Sequence, residues 1–432
     1  MVSPGTYNEQ VIINSSGNAG AYINIVGDAS GTKAVTRGFY ISGRSYVRII
    51  GFEITHNSIT YSHGIQLQNL SHHVEILNNY IHDISGAGIR WSNHDNSYVT
   101  IRGNEIYYTA CPLGVSGQCI GNGTGMGLGG GNHHLVEYNQ VHRPADFINV
   151  GWNSITGTPG THAIVRNNYM HDFRDSYWAD ATPGSVHADM FQPVGGPGVL
   201  QNQIYEANFM GDNIEINSHI LQMRADNPQT RDIIFRGNVG YNFGSYVMQS
   251  GGIDNVYFYN NAFHQMGGGP AYNAESGNPS NGNYNFNNIY SIIPGNYLIT
   301  AVGGSTFTAS NNLCFSTFSH ASCVSTGNPL FTNTTSRDFH ILSNSPAVGT
   351  CKLITIVTSG ASAGASFAVA DANFFTDGYG IAEGDIIKVG ANAPVRITNI
   401  SGNTITVNQS ITWNTNDGVY WRNKDTSPDI GA

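Results

Sequence analysis

Three aspartates, Asp146, Asp189 and Asp212, each stand two residues ahead of an apolar residue (Ile148, Phe191, Ile214) in short stretches of alternating pattern. If those stretches are neighbouring parallel strands, the carboxylates stack ~4.8 Å apart. Like charges that close share a proton or hold a cation, since otherwise they repel. Glu215 lies just beyond the third aspartate, so the expected set is Asp146, Asp189, Asp212 and Glu215 around a cation. All-oxygen ligands of this kind suit Ca2+, and no organic cofactor is expected. The competing role is structural, because an Asp that opens a strand can bond turn N–H groups.

Other polar residues collect around the same stretches. His187 precedes Asp189 in Ser185-Val186-His187-Ala188-Asp189-Met190-Phe191-Gln192, and Arg174 and Arg224 lie in adjacent loops; together with Asp189 and Glu215 these are the catalytic candidates. A substrate would be held by Arg90, Asn149 and Gln192 on outward strand positions, with Trp152, Tyr177, Trp178 and His219 from loops. Flat aromatic faces of this kind stack on sugar rings. The segments 107–124, 172–187, 152–162 and 218–231 flank these strands and would wall a groove.

The elements that must position these residues form a repeat. Alternating apolar residues, then Asn, then an apolar residue two positions on recur at Asn79, Asn104, Asn139, Asn168, Asn208, Asn238 and Asn261, continuing at Asn288 and Asn312. Second strands lie between, at Ile65, Ile89, Met126, Ile148, Phe191, Ile214 and Val247 in one inward column. Period-two alternation with Gly- and Asn-rich turns and no sustained helical period reads as strands. A minimal repeat of 23 residues reads as a parallel β-solenoid, each coil burying its inward side chains against the next. The asparagines then form a turn ladder rather than a site.

Composition agrees. Charged residues are 11% of the 432, Gly numbers 53, and Lys33, Lys352, Lys388 and Lys424 are the only lysines. A net charge of −10 argues against nucleic acid, which requires a basic surface. No apolar run reaches the ~20 residues of a membrane span. Cys111 with Cys119 and Cys314 with Cys323 bracket short segments and read as two local disulfides, with Cys351 left over. The expected setting is a secreted, monomeric protein whose signal peptide has been removed. Gly125-Met126-Gly127-Leu128-Gly129-Gly130 matches GxGxxG but lacks a βαβ setting. His133 and His134 are adjacent on a strand and point to opposite faces, which disfavours a shared metal.

With the repeat in hand, the chain resembles the right-handed parallel β-helix, pectate-lyase-like superfamily of secreted carbohydrate-active proteins. The likeness rests on Pro4-Gly5-Thr6-Tyr7, on Tyr46-Val47-Arg48-Ile49-Ile50-Gly51-Phe52, and on the closing phrases Asn328-Pro329-Leu330-Phe331 and Pro428-Asp429-Ile430-Gly431-Ala432. It implies an all-β solenoid over 1–351 with a return to the closing coil over 425–432; the interruption over 352–424, which carries short strands of its own, reads as a small inserted β-domain. In the insertion, Trp413 and Trp421 are either core or glycan-stacking residues, and core packing is the expectation.

The resemblance implies a polysaccharide substrate. The leading expectation is cation-assisted β-elimination on a uronic-acid glycan, in which such proteins use a Lys or Arg base. Lysine is absent from the relevant coils, leaving Arg174, Arg224 or His187, with Arg224 preferred. The stretch Glu215-Ile216-Asn217-Ser218 resembles one in the alginate-lyase and chondroitinase-B family, with His219 near the place of that family's lysine. The alternatives are a glycoside hydrolase using a carboxylate pair from the same column and a non-catalytic, glycan-binding or adhesin solenoid.

Overall fold

The computed structural model describes residues 1–27, 33–56, 63–91, 96–109, 124–144, 146–150, 160–173, 189–192, 194–195, 200–214, 218–225, 230–267, 272–274, 279–295, 299–300, 303–316, 320–422 and 429–431. Nine asparagines organise them. Asn79 donates its backbone N–H and its side-chain amide to Oδ1 of Asn104, at 2.9 and 3.0 Å, and its amide also reaches the carbonyl of Ile49. The same contacts pass from Asn104 to Asn139, Asn168, Asn208, Asn238, Asn261, Asn288 and Asn312. All nine are buried. The residue before each asparagine turns the chain left-handed, with φ of 54° at Asn78, 56° at Tyr138, 54° at Asn167 and 61° at Gly237.

This corner joins two of the three faces of a right-handed parallel β-helix. Face A, before the asparagines, is an eleven-stranded parallel sheet from Ile23–Val26 to Phe307–Ser310. Face B follows each asparagine and includes Tyr80–Ile84, Glu105–Thr109, Tyr169–Phe173, Phe209–Asn213 and Val239–Phe243. Face C comprises Ile65–Gln68, Ile89–Trp91, Thr124–Leu128, Asp146–Val150, Leu221–Ala225 and Met248–Gly251, with Phe191 bridging Ile148 to Leu221. The described residues contain no helix.

The core is a set of columns along the axis. Ile65, Ile89, Met126, Ile148, Phe191, Leu221 and Met248 stack on face C, all inaccessible to solvent. Burying each such side chain is worth roughly 1.5–3 kcal/mol. The column differs from the expected one at two coils. Leu221 replaces Ile214, which is 48% exposed, and Met248 replaces Val247. The two adjacent histidines do take opposite faces: His134 points inward, and His133 points outward, stacked between Tyr98 and His162.

A six-stranded antiparallel sheet, from Thr355–Ile356 to Gly418–Trp421, packs on the outside of face A. There the outward column Leu135, Ile164, Ile204, Ile234, Tyr257 turns apolar and joins a second core with Phe374, Phe375 and Val389. Trp413 is 6% exposed and Trp421 packs on Arg236, as core residues would. Ile430 returns to the helix through the carbonyl of Ala347. Cys314 and Cys323 form a disulfide; Cys111 and Cys119 lie outside the described residues.

One ion cluster locks the sheet to the helix. Arg236, fully buried, donates to Glu206 at 2.7 and 3.0 Å and to both oxygens of Asp385 at 2.6 and 2.8 Å. Removing one member strands buried charge, which costs roughly 3–5 kcal/mol. We therefore expect Arg236→Ala to lower the unfolding free energy, read from urea denaturation, by that order and Arg236→Lys to recover part of it; an unchanged value would remove the lock.

Candidate functional site

The corner between faces B and C gathers the polar residues that head face C. Strand register aligns His63, Ala87, Thr124, Asp146, Asp189, His219 and Tyr246 in one column. The backbone N–H of Asp189 donates to Oδ1 of Asp146 at 3.3 Å, and the N–H of His219 donates to Oδ1 of Asp189 at 2.9 Å. Nδ1 of His219 lies 2.8 Å from the same Asp189 oxygen, and its ring stacks on Tyr246 at 5.6 Å. Asp146, Asp189 and His219 are 3%, 0% and 6% exposed, so this is a dry site in which electrostatic contacts are strong.

Burial, reinforced by the neighbouring Asp189 charge, pushes the Asp146 carboxyl up to about 8, against the opposing pull of the Asp189 N–H and Asn149. The Asp146 carboxyl therefore favours its protonated form at neutral pH, and the Asp189 carboxyl stands between it and His219. An imidazole whose Nδ1–H is held by a carboxylate keeps one tautomer and presents Nε2 as a base.

Three positions further along, a second column runs Gln66, Arg90, Gly127, Asn149, Gln192, Gln222 and Gln249. Gln192 donates its backbone N–H to Asn149 and its amide to Gln222 at 2.7 Å, and Gln222 donates to Gln249 at 2.9 Å. These planar amides form a neutral rail beside the Asp–His pair. Burial lowers the Arg90 guanidinium from its ordinary value, and a Cβ on Gly127 would sit 2.7 Å from the Thr124 hydroxyl.

The structure thus brings together Asp146, Asp189, Asn149, Gln192 and His219, and places Arg90 three coils before Gln192. It moves Asp212 elsewhere. Asp212 lies on the face B strand Phe209–Asn213, left-handed at φ 54°, in line with Asp83, Asp172 and Asn242. There it pairs with Arg337 at 2.5 Å and accepts from Asn242. The physical reason is that the face B strand uses five residues after Asn208, so Asp212 is spent before face C begins. Arg224 belongs to the strand Leu221–Ala225, two residues past Gln222. His187, Arg174, Glu215, Trp152, Tyr177 and Trp178 lie outside the described residues.

Among the described residues no three His, Cys, Asp or Glu side chains gather as a metal would need, and Glu215, the fourth of the expected carboxylates, lies outside them. Counting from the ladder sets Asp212 apart from the column, because it stands four residues after Asn208, as Asp172 does after Asn168. The recurring apolar-Gln pairs, Ile65-Gln66, Phe191-Gln192, Leu221-Gln222 and Met248-Gln249, carry the same signal.

No protein family matches the sequence, and no curated protein matches it. Several solved structures resemble its fold. Pectate lyase Pel9A aligns with a TM-score of 0.48 and 16% identity over 83% of this chain and 84% of that one. A PL6 family polysaccharide lyase from Pseudopedobacter saltans gives 0.44 and 14% over 81% and 92%. An alginate lyase from Paenibacillus sp. str. FPU-7 gives 0.40 and 17% over 69% and 91%. Likenesses this distant concern the path of the chain and assign no reaction.

The raised Asp146 pKa has a signed consequence. The folded state keeps a proton that the unfolded chain releases above about pH 4, so stability falls as pH rises toward about 8. Asp146→Asn keeps an acceptor for the Asp189 N–H but removes the titration. Its melting temperature should gain on the wild type as pH rises from about 5 to about 8. A gap that stays constant with pH would contradict the assignment.

Proposed function

We propose that the protein is an enzyme that cleaves a uronic-acid polysaccharide by β-elimination, with His219 as the base. The observation that supports this reading is the 2.8 Å contact between His219 Nδ1 and the buried Asp189 carboxylate, beside a rail of amide donors. It supplies a base in a solenoid that holds only Lys33 among lysines up to residue 351. His219 takes the proton α to the substrate carboxylate, the C–H electrons form the new double bond, and the bond to the leaving glycosidic oxygen breaks. Asp189 stabilises the imidazolium, which can return its proton to the leaving oxygen. Amide N–H groups of the Asn149–Gln192–Gln222 rail offer hydrogen bonds to the carboxylate as negative charge builds on it. Asp146, kept neutral, leaves Asp189 the ionised partner. The Cys314–Cys323 disulfide supports an exported enzyme.

A second reading has its own observation. Asp146 and Asp189 occupy neighbouring coils, and one carboxyl of the two is held protonated. An acid and a carboxylate about 5 Å apart suit a retaining glycoside hydrolase.

Incubation with alginate, polygalacturonate and neutral glucans separates these readings. Elimination yields products with the ultraviolet absorbance of a carboxylate-conjugated double bond, and hydrolysis yields reducing ends without it. Neither product from any polymer would leave a glycan-binding solenoid. For elimination we expect His219→Ala and Asp189→Asn each to lose about 10²–10⁴-fold in kcat. Either variant retaining wild-type turnover would overturn the assignment of the base.

A further inference from the structure

A hairpin made of Phe331–Asn333 and Asp338–Ile341 lies against the outside of face B. Phe339 packs on Phe209, Tyr241 and His264, with ring centroids 5.9, 5.3 and 5.7 Å away. Arg337 donates to the Tyr169 hydroxyl at 2.7 Å and to Asp212 at 2.5 Å. Before this point the outward rings of face B stack on one another, His82, Tyr107, His142 and His171 following at 5.1, 4.9 and 5.0 Å. The next position in register is Gly211, where a Cβ would fall 2.1 Å from the Tyr241 ring. Tyr241 therefore leans back over Gly211, and Phe339 touches both it and His264, its partner in register. A pocket of about 290 Å3 opens there, near the small end of the roughly 300–1,000 Å3 that ligand sites occupy.

The second left-handed bend supplies one wall. Asp212, Asn242 and Gln265 follow one another in register, with φ of 54°, 53° and 57°. Side-chain hydrogen bonds run from Arg337 to Asp212 and from Asn242 Nδ2 to Asp212 Oδ1 at 2.9 Å, and they stop there. Asn242 Oδ1 and the Gln265 amide, one coil apart, make no side-chain bond among the described residues, and both residues line the pocket. Thr334 and Thr335 add hydroxyls that are likewise open. Nδ1 of His264 lies 3.0 Å from Ser291 Oγ, which leaves Nε2 available. Burial holds this imidazole below its ordinary value, so it is uncharged at neutral pH. The formal charges among the described lining residues, Asp212 and Arg337, are paired with each other. An anion entering here would meet Asp212 beside Arg337, and a cation would meet the reverse, so neither sign is selected. Open amide and hydroxyl groups that both donate and accept instead match a ligand rich in hydroxyls.

We propose that this pocket binds one ring of a neutral saccharide, held by Asn242, Gln265, Thr334 and Thr335 beside Phe339. The coil that begins at Asn208 contributes Asp212 to this pocket and His219 to the corner between faces B and C, but the two sites share no residue. The proposal does not rest on the reaction proposed above, because binding and cleavage are read separately.

The test is calorimetric titration of the full chain with neutral trisaccharides of glucose, galactose and mannose, and with trigalacturonate as the acidic comparison. Gln265→Gly removes the amide and suits the left-handed backbone. Thr335→Val removes an exposed hydroxyl and keeps the backbone N–H that donates to Asn333 Oδ1. We expect a neutral trisaccharide to bind at a single site, with an affinity that salt leaves unchanged and that each variant lowers about tenfold. His219→Ala should bind it as the wild type does, and thermal melting checks that every variant remains folded. Binding of no neutral trisaccharide, binding of trigalacturonate alone, wild-type affinity in both folded pocket variants, or loss of binding in His219→Ala would overturn the inference. Binding that follows the pocket variants in a chain that cleaves no polymer would sink the proposed reaction and leave the pocket standing.

Discussion

One hydrogen bond, repeated, sets the geometry of the whole solenoid. Each ladder asparagine gives its backbone N–H and its amide to the next asparagine's oxygen, and its amide also reaches a carbonyl of the preceding coil. Buried amides left unpaired cost about 1–3 kcal/mol each, so a coil that slipped by one residue would lose several contacts together. The ladder therefore fixes where face A ends and face B begins in every coil. Everything downstream is counted from it: the inward columns, the second left-handed bend that carries Asp172 and Asp212, and the start of face C.

With the backbone satisfied in this way, charge is free to be rare and local. The outward side of face A carries an alternating ladder of Arg and Glu and, next to it, an apolar strip. Both are consumed by the antiparallel sheet, through Phe374 against Tyr257 and Arg236 against Asp385. The desolvation of Arg236 is offset by carboxylates from both units, which makes the junction specific as well as tight.

At the B–C corner the same scarcity has a chemical effect. Two carboxylates one coil apart cannot both ionise cheaply in a dry site, so one keeps its proton and the other orients an imidazole. Neutral amides from Asn149 to Gln249 line the stretch of the adjacent column beside the Asp–His pair, and this leaves that pair as the polarised element there.

Much of this was legible in the order of residues. The nine asparagines, the period-two strands, the solenoid, the placement of His133 and His134 on opposite faces, and Asp146 and Asp189 as neighbours all follow from local spacing, because parallel coils repeat one local pattern. The alternation of Arg102, Glu137, Arg166, Glu206 and Arg236 was present too, one residue before each turn. Only the tertiary structure decided which residue follows Asp189 in the column. Coils differ in length, and counting from the ladder sets Asp212 aside without saying which later residue takes its place. Likewise, nothing local pairs Arg236 with Asp385, 149 residues away. That contact exists because the antiparallel sheet folds back onto the apolar stripe of face A that runs from Leu135 to Tyr257.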